Sequence, residues 1–374
     1  MADKVTQDMV SQIVEQVLKG QRLDFEQGLA LYQKAEIWQL ARLAGEITRS
    51  RHDSNVYYCI NRHINYTNVC RNQCPFCGFS RRPGQVGGYV LSVNEILELV
   101  SRARQDGATE IHIVGGVNPE LEYDYYLGMI ERIHGDFPYL HIKAFTAVEI
   151  IDLAEKSGYT IERVLTELKA AGLGTLPGGG AEILDEDYYR KTGLNKSTPN
   201  QWLDVHTAAH GLGMMTNATM LYGYRDSAAH RIRHLIRLRQ QQDESIQADK
   251  GRFLSFVPLP YVPPKSSEDD IGKIDALIDL KTIAICRLML DNFAYIKAFW
   301  PMLGVKLAQI ALSFGANDLD GTVQQYRIVD TNEDNPDDSL TKDELVALII
   351  EADGTPVQRD GFYRVYKNQE SQIG

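Results

Sequence analysis

Three cysteines lie close together in the stretch YTNVCRNQCPFCGFS, residues 66–80. Cys70, Cys74 and Cys77 have the spacing C-x3-C-x2-C. Three thiolates this close in sequence can wrap one face of a [4Fe–4S] cluster and leave one iron without a protein ligand. The cluster of cysteines therefore predicts a metal site with an open coordination position.

An iron with an open position can chelate the amino and carboxylate groups of S-adenosylmethionine (SAM). One electron from the reduced cluster then cleaves the sulfonium and releases a 5′-deoxyadenosyl radical, so the cofactor carries the difficult chemistry and the protein orients it. Phe76, directly before the third cysteine, is placed to pack near the adenine. The motif therefore predicts a radical reaction with a [4Fe–4S] cluster and SAM.

A structural zinc site is the alternative interpretation of the same cysteines. Zinc usually takes four ligands in paired spacing, and a fourth would have to come from Cys59 or His63. Free cysteine is among the most buried residue types, so Cys59 and Cys286 are expected to be plain core side chains. His206 and His210 have a metal-capable helical spacing, but no glutamate follows His206, which favours a packing role.

Two further segments offer groups to the cofactor. Gly115 and Gly116, in IHIVGGVNPE, allow a close backbone approach. They are expected to bind the methionine amino group, with a simple tight turn as the alternative. Glu149, in AFTAVEI, is expected to accept hydrogen bonds from the ribose hydroxyls or the amino group. The alternative for Glu149 is a carboxylate at the N-terminus of a helix, where the helix dipole favours it.

Other polar residues are candidates for the substrate side. Glu182 follows three glycines in LPGGGAEI and is expected near the cofactor or substrate. Arg81 can hold a carboxylate in bidentate fashion, although a solvated basic turn remains the alternative. Lys143 lies on the third predicted strand. Asn217 is a candidate lumen residue, but barrels also bury such side chains in internal hydrogen bonds.

These side chains need a scaffold that brings them to one place. From about residue 60, short apolar runs alternate with amphipathic segments, which indicates a parallel α/β sheet; eight repeats would close a (β/α)8 TIM-type barrel. The predicted strands are Ile60–Val69, Glu110–Val114, His141–Thr146, Gly174–Pro177, Thr216–Tyr222, Phe253–Pro258, Ala294–Trp300 and Ile310–Phe314. The predicted helices include Val93–Gln105, Tyr123–His134, Ile161–Ala171, Pro199–His210 and Ala228–Asp243.

The chain divides into three predicted parts. Residues 1–50 are expected to form an N-terminal helical extension, residues 51–329 the barrel, and residues 330–374 a short C-terminal extension. The last part contains an acidic loop, a predicted helix at Lys342–Ala352 and a predicted strand at Gly361–Tyr366. The cysteines follow the first strand and so are expected at the C-terminal mouth of the barrel, where barrel active sites form.

The composition excludes some classes of partner. The formal net charge of −11 argues against nucleic-acid binding, which needs a basic surface. No run approaches the roughly 20 apolar residues that cross a bilayer, and the first residues lack the pattern of a signal peptide. The expectation is a cytoplasmic protein that acts on a small molecule, with a homodimer as the assembly considered.

Five ordered segments carry a resemblance to a known family. They resemble the radical SAM enzymes of the futalosine route to menaquinone, and within these the aminofutalosine synthase branch, from about residue 20 to residue 370. The segments are INYTNVCRNQCPFCGFSR, AFTAVEI, LPGGGAEI, TNATMLYG and FGANDLDGT.

The resemblance implies a definite reaction. The 5′-deoxyadenosyl radical adds to the enolpyruvyl double bond of 3-[(1-carboxyvinyl)oxy]benzoate. Rearrangement and decarboxylation then give 6-amino-6-deoxyfutalosine, with methionine released. Glu182, Asn217 and Tyr224 are then the expected catalytic residues, and Arg81, Lys143 and Asn217 the expected substrate contacts. A flavodoxin or ferredoxin is the expected electron donor.

The chain also departs from the family pattern. Relatives usually carry a histidine after the LYG segment where this chain has Tyr224, and an acidic loop at residues 330–338 replaces a histidine-containing stretch of small residues. These changes keep dehypoxanthine futalosine cyclase, the radical subunit of deazaflavin synthesis and another radical SAM reaction open as alternatives. A metal-binding barrel without catalysis is the most distant alternative.

Overall fold

The computed structural model describes residues 2–264, 271–323 and 339–366. Helices and strands alternate through most of these ranges. The helices are α1 (Ala2–Leu18), α2 (Phe25–Lys34), α3 (Ile37–His52), α4 (Val93–Gln105), α5 (Tyr123–Asp136), α6 (Ala147–Ser157), α7 (Ile161–Ala171), α8 (Glu186–Thr192), α9 (Pro199–Gly211), α10 (Ala228–Gln247), α11 (Ala276–Met289), α12 (Trp300–Leu303), α13 (Val305–Ala311) and α14 (Lys342–Glu351). The strands are β1 (Asn55–Cys59), β2 (Asn61–Ile64), β3 (Glu110–Ile113), β4 (His141–Ala144), β5 (Thr175–Leu176), β6 (Met215–Tyr222), β7 (Phe253–Pro260), β8 (Tyr295–Ile296), β9 (Asp318–Gly321) and β10 (Thr355–Gln358).

Several helices begin at short polar side chains. At α4, Ser92 accepts the backbone N–H of Glu95, and the Glu95 carboxylate accepts the N–H of Ser92 at 2.7 Å. Helices α6 and α9 begin with the same reciprocal arrangement at Thr146 and Thr198. These capping boxes satisfy N–H groups that have no partner within the helix, and so they fix where each helix begins relative to the preceding strand.

The strands form a closed parallel ring. Seven of them pair in the order β2-β3-β4-β5-β6-β7-β8, so each crossover carries its helices to the outside. Strand β9 contacts the β8 side through a parallel bridge between Lys297 and Asp318, and it pairs with β1 through Gly321 and Cys59. Because one residue separates β1 from β2, β9 completes the ring. The predicted (β/α)8 TIM-type barrel is confirmed.

The predicted eighth strand at Ile310–Phe314 is wrong. These residues continue α13 into a 3-10 turn. A short apolar run fits a strand and a buried helix equally well. The eighth position belongs instead to Asp318–Gly321, whose aspartates are uncommon in strands. Both carboxylates are buried in the barrel and pair with buried cations, Arg359 and Lys297.

The two extensions pack on the barrel. In the N-terminal one, the hydroxyls of Tyr32 on α2 and Thr282 on α11 lie 2.8 Å apart. In the C-terminal one, the predicted helix matches α14, but the predicted strand at Gly361–Tyr366 is wrong. The strand there is β10, which pairs in parallel with β1. The acidic loop at 330–338 lies outside the described residues, and the domain boundaries at 50 and 330 stay predictions.

Charged side chains fill the N-terminal half of the barrel. Lys143 donates to Glu110 at 2.6 Å, and both side chains are buried. Lys297 pairs in the same way with Asp320. Buried charges are tolerated when they are paired and hydrogen-bonded, so these pairs let the ring interior be packed without an apolar core.

The residues predicted to be packing groups are buried. Cys59 and Cys286 have no exposed surface. His206 and His210 are buried and both contact the Thr216 hydroxyl, at 3.0 and 2.8 Å. Their packing role is confirmed. Among the described residues, none of the helices combines the length and the apolar character needed to span a bilayer.

Candidate active site

The cysteine loop follows β2 and is tied to the neighbouring strand ends by backbone hydrogen bonds. The N–H of Cys70 donates to the carbonyl of Arg81 at 2.9 Å, and the N–H of Arg71 donates to the carbonyl of Val117 at 2.9 Å. Val117 lies beyond the end of β3. The loop therefore lies over the C-terminal ends of the strands, which is where barrel enzymes build their active sites.

The three thiols fit a [4Fe–4S] cluster. Cys70, Cys74 and Cys77 are free and only half-buried. Burial raises the pKa of Cys74 to about 12 and also raises the pKa of Cys77. Ligand thiols must be deprotonated, so these thiols need a strong positive charge beside them to ionise. Iron supplies that charge, and the ammonium of Lys196 acts on Cys74 in the same direction.

The cysteines are not gathered around a single ion. Among the described residues, three side chains have ligand atoms that all lie within 4.8 Å of one another, and they are Asp185, Asp187 and His230 rather than the cysteines. Three thiolates bound to one zinc, each at about 2.3 Å from it, would lie within 4.8 Å of one another. Thiolates bound to different irons of a cluster lie farther apart. The acidic group is itself neutralised, because Arg233 pairs with Asp185 and Lys191 with Asp187. These observations disfavour the zinc alternative.

Gly115 and Gly116 make room for the cysteine loop. A Cβ on Gly116 would lie 2.2 Å from the carbonyl oxygen of Val69, and one on Gly115 would lie 2.6 Å from the ring of Tyr66. Real Cβ atoms do not approach so closely, so larger residues would push the loop out of place. The predicted contact of these glycines with the methionine amino group stays a prediction.

Glu149 organises the strand ends from a buried position. One carboxylate oxygen accepts the hydroxyl of Tyr66 at 2.7 Å and the N–H of Gly115 at 3.1 Å. The other accepts the N–H and hydroxyl of Thr146 at 2.7 and 2.8 Å. Burial raises the pKa of Glu149 to about 7, although the four donors act against this rise. Glu149 is thus the helix-capping carboxylate of the alternative interpretation; its contact with SAM stays a prediction.

Glu182 lies next to the cysteine loop with a cationic partner. Its carboxylate pairs with Lys196, and the ammonium of Lys196 also donates to the carbonyl of Gly180 at 2.8 Å. The ammonium lies 5.8 Å from the ring centre of Phe76. Glu182 has a positive φ of 45°, a conformation that costs energy in a residue with a Cβ and occurs often at functional sites.

Phe76 and Tyr224 meet above the barrel, although they are far apart in sequence. Their ring centres are 5.4 Å apart at an angle of 69°, and Tyr224 contacts Tyr261 at 5.0 Å. Edge-to-face pairs of this kind are favourable. The sequence placed both residues at the site, and the structure brings them together in one aromatic cluster that covers the mouth.

Family comparison agrees with this geometry. Residues 64–238 match the model of the radical SAM superfamily, and residues 250–372 match the CofH/MqnC C-terminal region. An aminodeoxyfutalosine synthase from Thermus thermophilus is 40% identical over 94% of both chains. The chain belongs to the radical SAM superfamily. As a member, it is an enzyme that uses a [4Fe–4S] cluster and SAM.

Other relatives of this radical SAM enzyme carry different names. A 5-amino-6-(D-ribitylamino)uracil–L-tyrosine 4-hydroxyphenyl transferase from Methanococcoides burtonii is 37% identical over 88% of this chain and 92% of its own. A cyclic dehypoxanthine futalosine synthase from Halalkalibacterium halodurans is 33% identical over 96% of both chains. In fold, the hydrogenase maturase HydG from Carboxydothermus hydrogenoformans is similar, with a TM-score of 0.74 and 18% identity over 97% of this chain and 82% of its own.

Three predicted substrate residues of the radical SAM enzyme are engaged within the protein. The guanidinium of Arg81 donates to the carbonyls of Gly78 and Ser80, each at 2.9 Å, and so braces the cysteine loop. Lys143 is paired with Glu110. The side chain of Asn217 donates to a backbone carbonyl at 3.2 Å and accepts a neighbouring serine hydroxyl at 2.7 Å. Their substrate contacts stay predictions.

Sequence reasoning missed two residues at this site. Tyr66 precedes the cysteines and holds Glu149, and Lys196 pairs with Glu182 beside Cys74. Tyr66 belongs to the quoted motif, so its position before the loop was a usable signal. Lys196 lies in an irregular segment after α8, and no local pattern indicates that it turns back to the cysteines.

Proposed function

We propose that this radical SAM enzyme is an aminodeoxyfutalosine synthase of menaquinone biosynthesis. It joins the 5′-deoxyadenosyl group to the enolpyruvyl carbon of 3-[(1-carboxyvinyl)oxy]benzoate with loss of carbon dioxide, giving 6-amino-6-deoxyfutalosine. The observation that carries the proposal is the 40% identity to the Thermus thermophilus synthase over nearly the whole length of both chains. When bound, the cluster supplies the electron that cleaves SAM.

The residues of the chain bind, orient and shield the reactants. Cys70, Cys74 and Cys77 would hold the cluster, and Gly115 and Gly116 would let the methionine end of SAM approach the strand ends. The residues proposed for catalysis and cofactor binding are Phe76, Gly115, Gly116, Glu149, Glu182, Asn217 and Tyr224. A radical reaction needs a site closed to water, and the aromatic cluster of Phe76, Tyr224 and Tyr261 provides such a cover.

The alternative is the reaction of the dehypoxanthine futalosine cyclase, in which the radical abstracts a hydrogen atom. The observation in favour of this alternative is Tyr224, which stands where relatives usually have a histidine and which contacts Phe76 at the mouth. The two reactions differ in the fate of the nucleoside. The synthase incorporates it into the product, while the cyclase releases 5′-deoxyadenosine.

The test is anaerobic turnover of the reconstituted protein with SAM, dithionite and the enolpyruvyl benzoate, followed by mass spectrometry. We expect one product that contains the adenosyl group joined to the substrate, minus carbon dioxide. Free 5′-deoxyadenosine without that product would contradict the proposal. In that case dehypoxanthine futalosine would be supplied as the substrate of the alternative.

A flavodoxin or ferredoxin is the proposed electron donor, because the loop around the cysteines presents an exposed cation. Residues 70–94 contain three arginines and no acidic residue, in a chain with a net charge of −11. Arg71 is paired with Asp152 and Glu155, which leaves Arg82 as the cation of this loop that the proposal uses. Arg82 is exposed. Complementary charge steers the encounter of two proteins, so an acidic carrier is expected to dock here. The cytoplasmic location and the homodimer also stay predictions.

The donor proposal is tested by charge reversal at Arg82. Arg82→Glu should slow reduction by flavodoxin by about 10-fold at low salt, and turnover with dithionite should be unchanged. Arg132→Glu on α5, an exposed site on the outer ring, carries the same charge change as a control. Equal flavodoxin rates for both variants would place the docking site elsewhere.

A further inference from the structure

The upper interior of the barrel contains a space. Phe256 on β7 faces α10, where its ring lies 6.0 Å from that of His234, and it is fully buried. Side chains alternate along a strand, so Val257 and Leu259 face the interior. Both keep accessible surface. Accessible surface on the inner face of a helix-covered barrel indicates that the interior is hollow at this level.

His112 borders the same space from the opposite wall. Its neighbours Ile111 and Ile113 on β3 are fully buried beneath the helices, whereas His112 faces inward and is only half-buried. Strand β3 lies across the ring from β7 in the strand order. The ring of His112 lies 4.4 Å from that of His63 on β2. The two imidazoles therefore form a polar floor beneath the space.

The two lysines near this floor are already paired with carboxylates. Lys143, in register with His112 on β4, is held by Glu110. Lys297 is held by Asp320. Burial lowers the pKa of His63 to about 4 and the pKa of His112 well below its usual value. His112 is therefore neutral at pH 7, and a neutral imidazole carries one N–H that can donate.

The walls above the floor are apolar. Val257 and Leu259 supply one side, and the ring of Phe299 lies 6.4 Å from that of His63. The cysteine loop is at the opposite end. A site with apolar walls and a few donors at one end selects a ligand with an apolar body and an acceptor at its far end.

We propose that His112 donates a hydrogen bond to the ring carboxylate of the substrate and so points the enolpyruvyl group toward the cysteine loop. This inference rests on the proposed function, and it adds the orientation of the substrate. The benzoate ring occupies the apolar part of the space, because the reacting double bond has to reach the 5′ carbon of the adenosyl radical at the mouth. His112 is thus a substrate-binding residue that fixes which end of the molecule reacts.

The test compares two ligands on two proteins by calorimetry, in the presence of SAM. The ligands are 3-[(1-carboxyvinyl)oxy]benzoate and its analogue without the ring carboxylate, and the variant is His112→Phe. We expect the variant to bind the benzoate about 10- to 100-fold more weakly, as for a lost hydrogen bond to a charged group, and to bind the analogue like the parent protein. During turnover it should release more 5′-deoxyadenosine per product.

Two further variants keep the test decisive. His112→Gln retains an N–H near the position of Nε2 and should recover part of the affinity for the benzoate. His206→Phe removes a buried imidazole on α9, outside the ring, and should bind both ligands like the parent. If His112→Phe binds both ligands normally, the orientation is wrong. Failure of the proposed function looks different, since the parent protein itself would then not convert the benzoate.

Discussion

The two ends of the barrel are built by opposite rules. At the mouth, Cys70, Cys74 and Cys77 are only partly buried, and Arg82 in the same loop is exposed. At the closed end, Arg359 and Asp318 form a pair with no exposed side-chain surface, at 2.8 Å. The stacked rings of Tyr295 and Tyr363 lie beside them, with centres 3.7 Å apart.

This difference separates chemistry from stability. Partly exposed thiols contribute little to folding, but they are what a cofactor site needs. Buried pairs and stacked rings hold the chain together and contact no reactant. Substitutions at the mouth should therefore change chemistry with little effect on folding, and substitutions at the closed end should do the reverse. Each prediction below can break or sharpen that rule.

The largest effect is expected from Cys74→Ala. Loss of one of three thiolates should abolish cluster binding and all SAM cleavage, while the circular dichroism spectrum and melting temperature remain those of the parent. Cys286→Ala, a buried cysteine on α11, is the control and should keep full iron and sulfide content. Residual SAM cleavage in Cys74→Ala would mean that the ligand assignment is wrong.

Next in size is Arg359→Met at the closed end. Removing one partner of a buried ion pair leaves Asp318 uncompensated and should lower the free energy of unfolding by about 3–5 kcal/mol. Urea denaturation measures this loss. Arg364→Met breaks an exposed pair with Asp360 instead, and should cost less than about 1 kcal/mol. If Arg359→Met lost iron binding at unchanged stability, the two ends would not be independent.

Glu149→Gln tests a buried residue whose carboxylate bonds to the strand ends at the mouth and to the start of helix α6. It replaces an acceptor of four hydrogen bonds and should lower the free energy of unfolding by about 1–3 kcal/mol at acidic pH. The pKa of Glu149 is raised from 4.5 to about 7. The folded state therefore binds this proton more tightly than the unfolded state, and the resulting stability is present below pH 4.5 and lost as the pH rises through 7.

The check is urea denaturation of parent and variant at about pH 5 and about pH 8. The advantage of the parent over Glu149→Gln should shrink at the higher pH. Glu95→Gln provides a control of opposite sign, because hydrogen bonds from Ser92 lower the pKa of Glu95. The advantage of the parent over Glu95→Gln should be equal at the two pH values, because it is lost only as the pH falls below 4.5. A Glu149 difference that is independent of pH would contradict the assignment.

The smallest effect is expected from Tyr224→Leu. Loss of the edge-to-face contact with Phe76 should raise the KM for SAM about 2- to 10-fold, as for an aromatic pair worth about 0.5–1.5 kcal/mol. Tyr224→Phe keeps the ring and should resemble the parent in a SAM cleavage assay. An equal change in both variants would assign the effect to the hydroxyl rather than to the ring.

The parts of the site that depend on local spacing were predictable from the sequence. Cys70, Cys74 and Cys77 lie on one loop, and Phe76 is fixed beside them by its place in that loop. The eighth strand was not predictable, because DLDG becomes a strand only where Arg359 and Lys297 neutralise its aspartates. His112 was missed for a similar reason. The sequence does not show that its side chain faces the barrel interior, because this depends on how the strands pair around the ring.

The pairing of β10 with β1 has a consequence for how the protein is made. Asn55 lies opposite Thr355. Strand β1 therefore cannot pair with β10 until almost the whole chain has been synthesised. Contacts between such distant residues form late and slowly. The cysteine loop emerges long before that, and for most of translation it belongs to an unfinished ring. The three thiols therefore have to stay reduced until the ring is complete, and we expect the cluster to be loaded only after the chain is released.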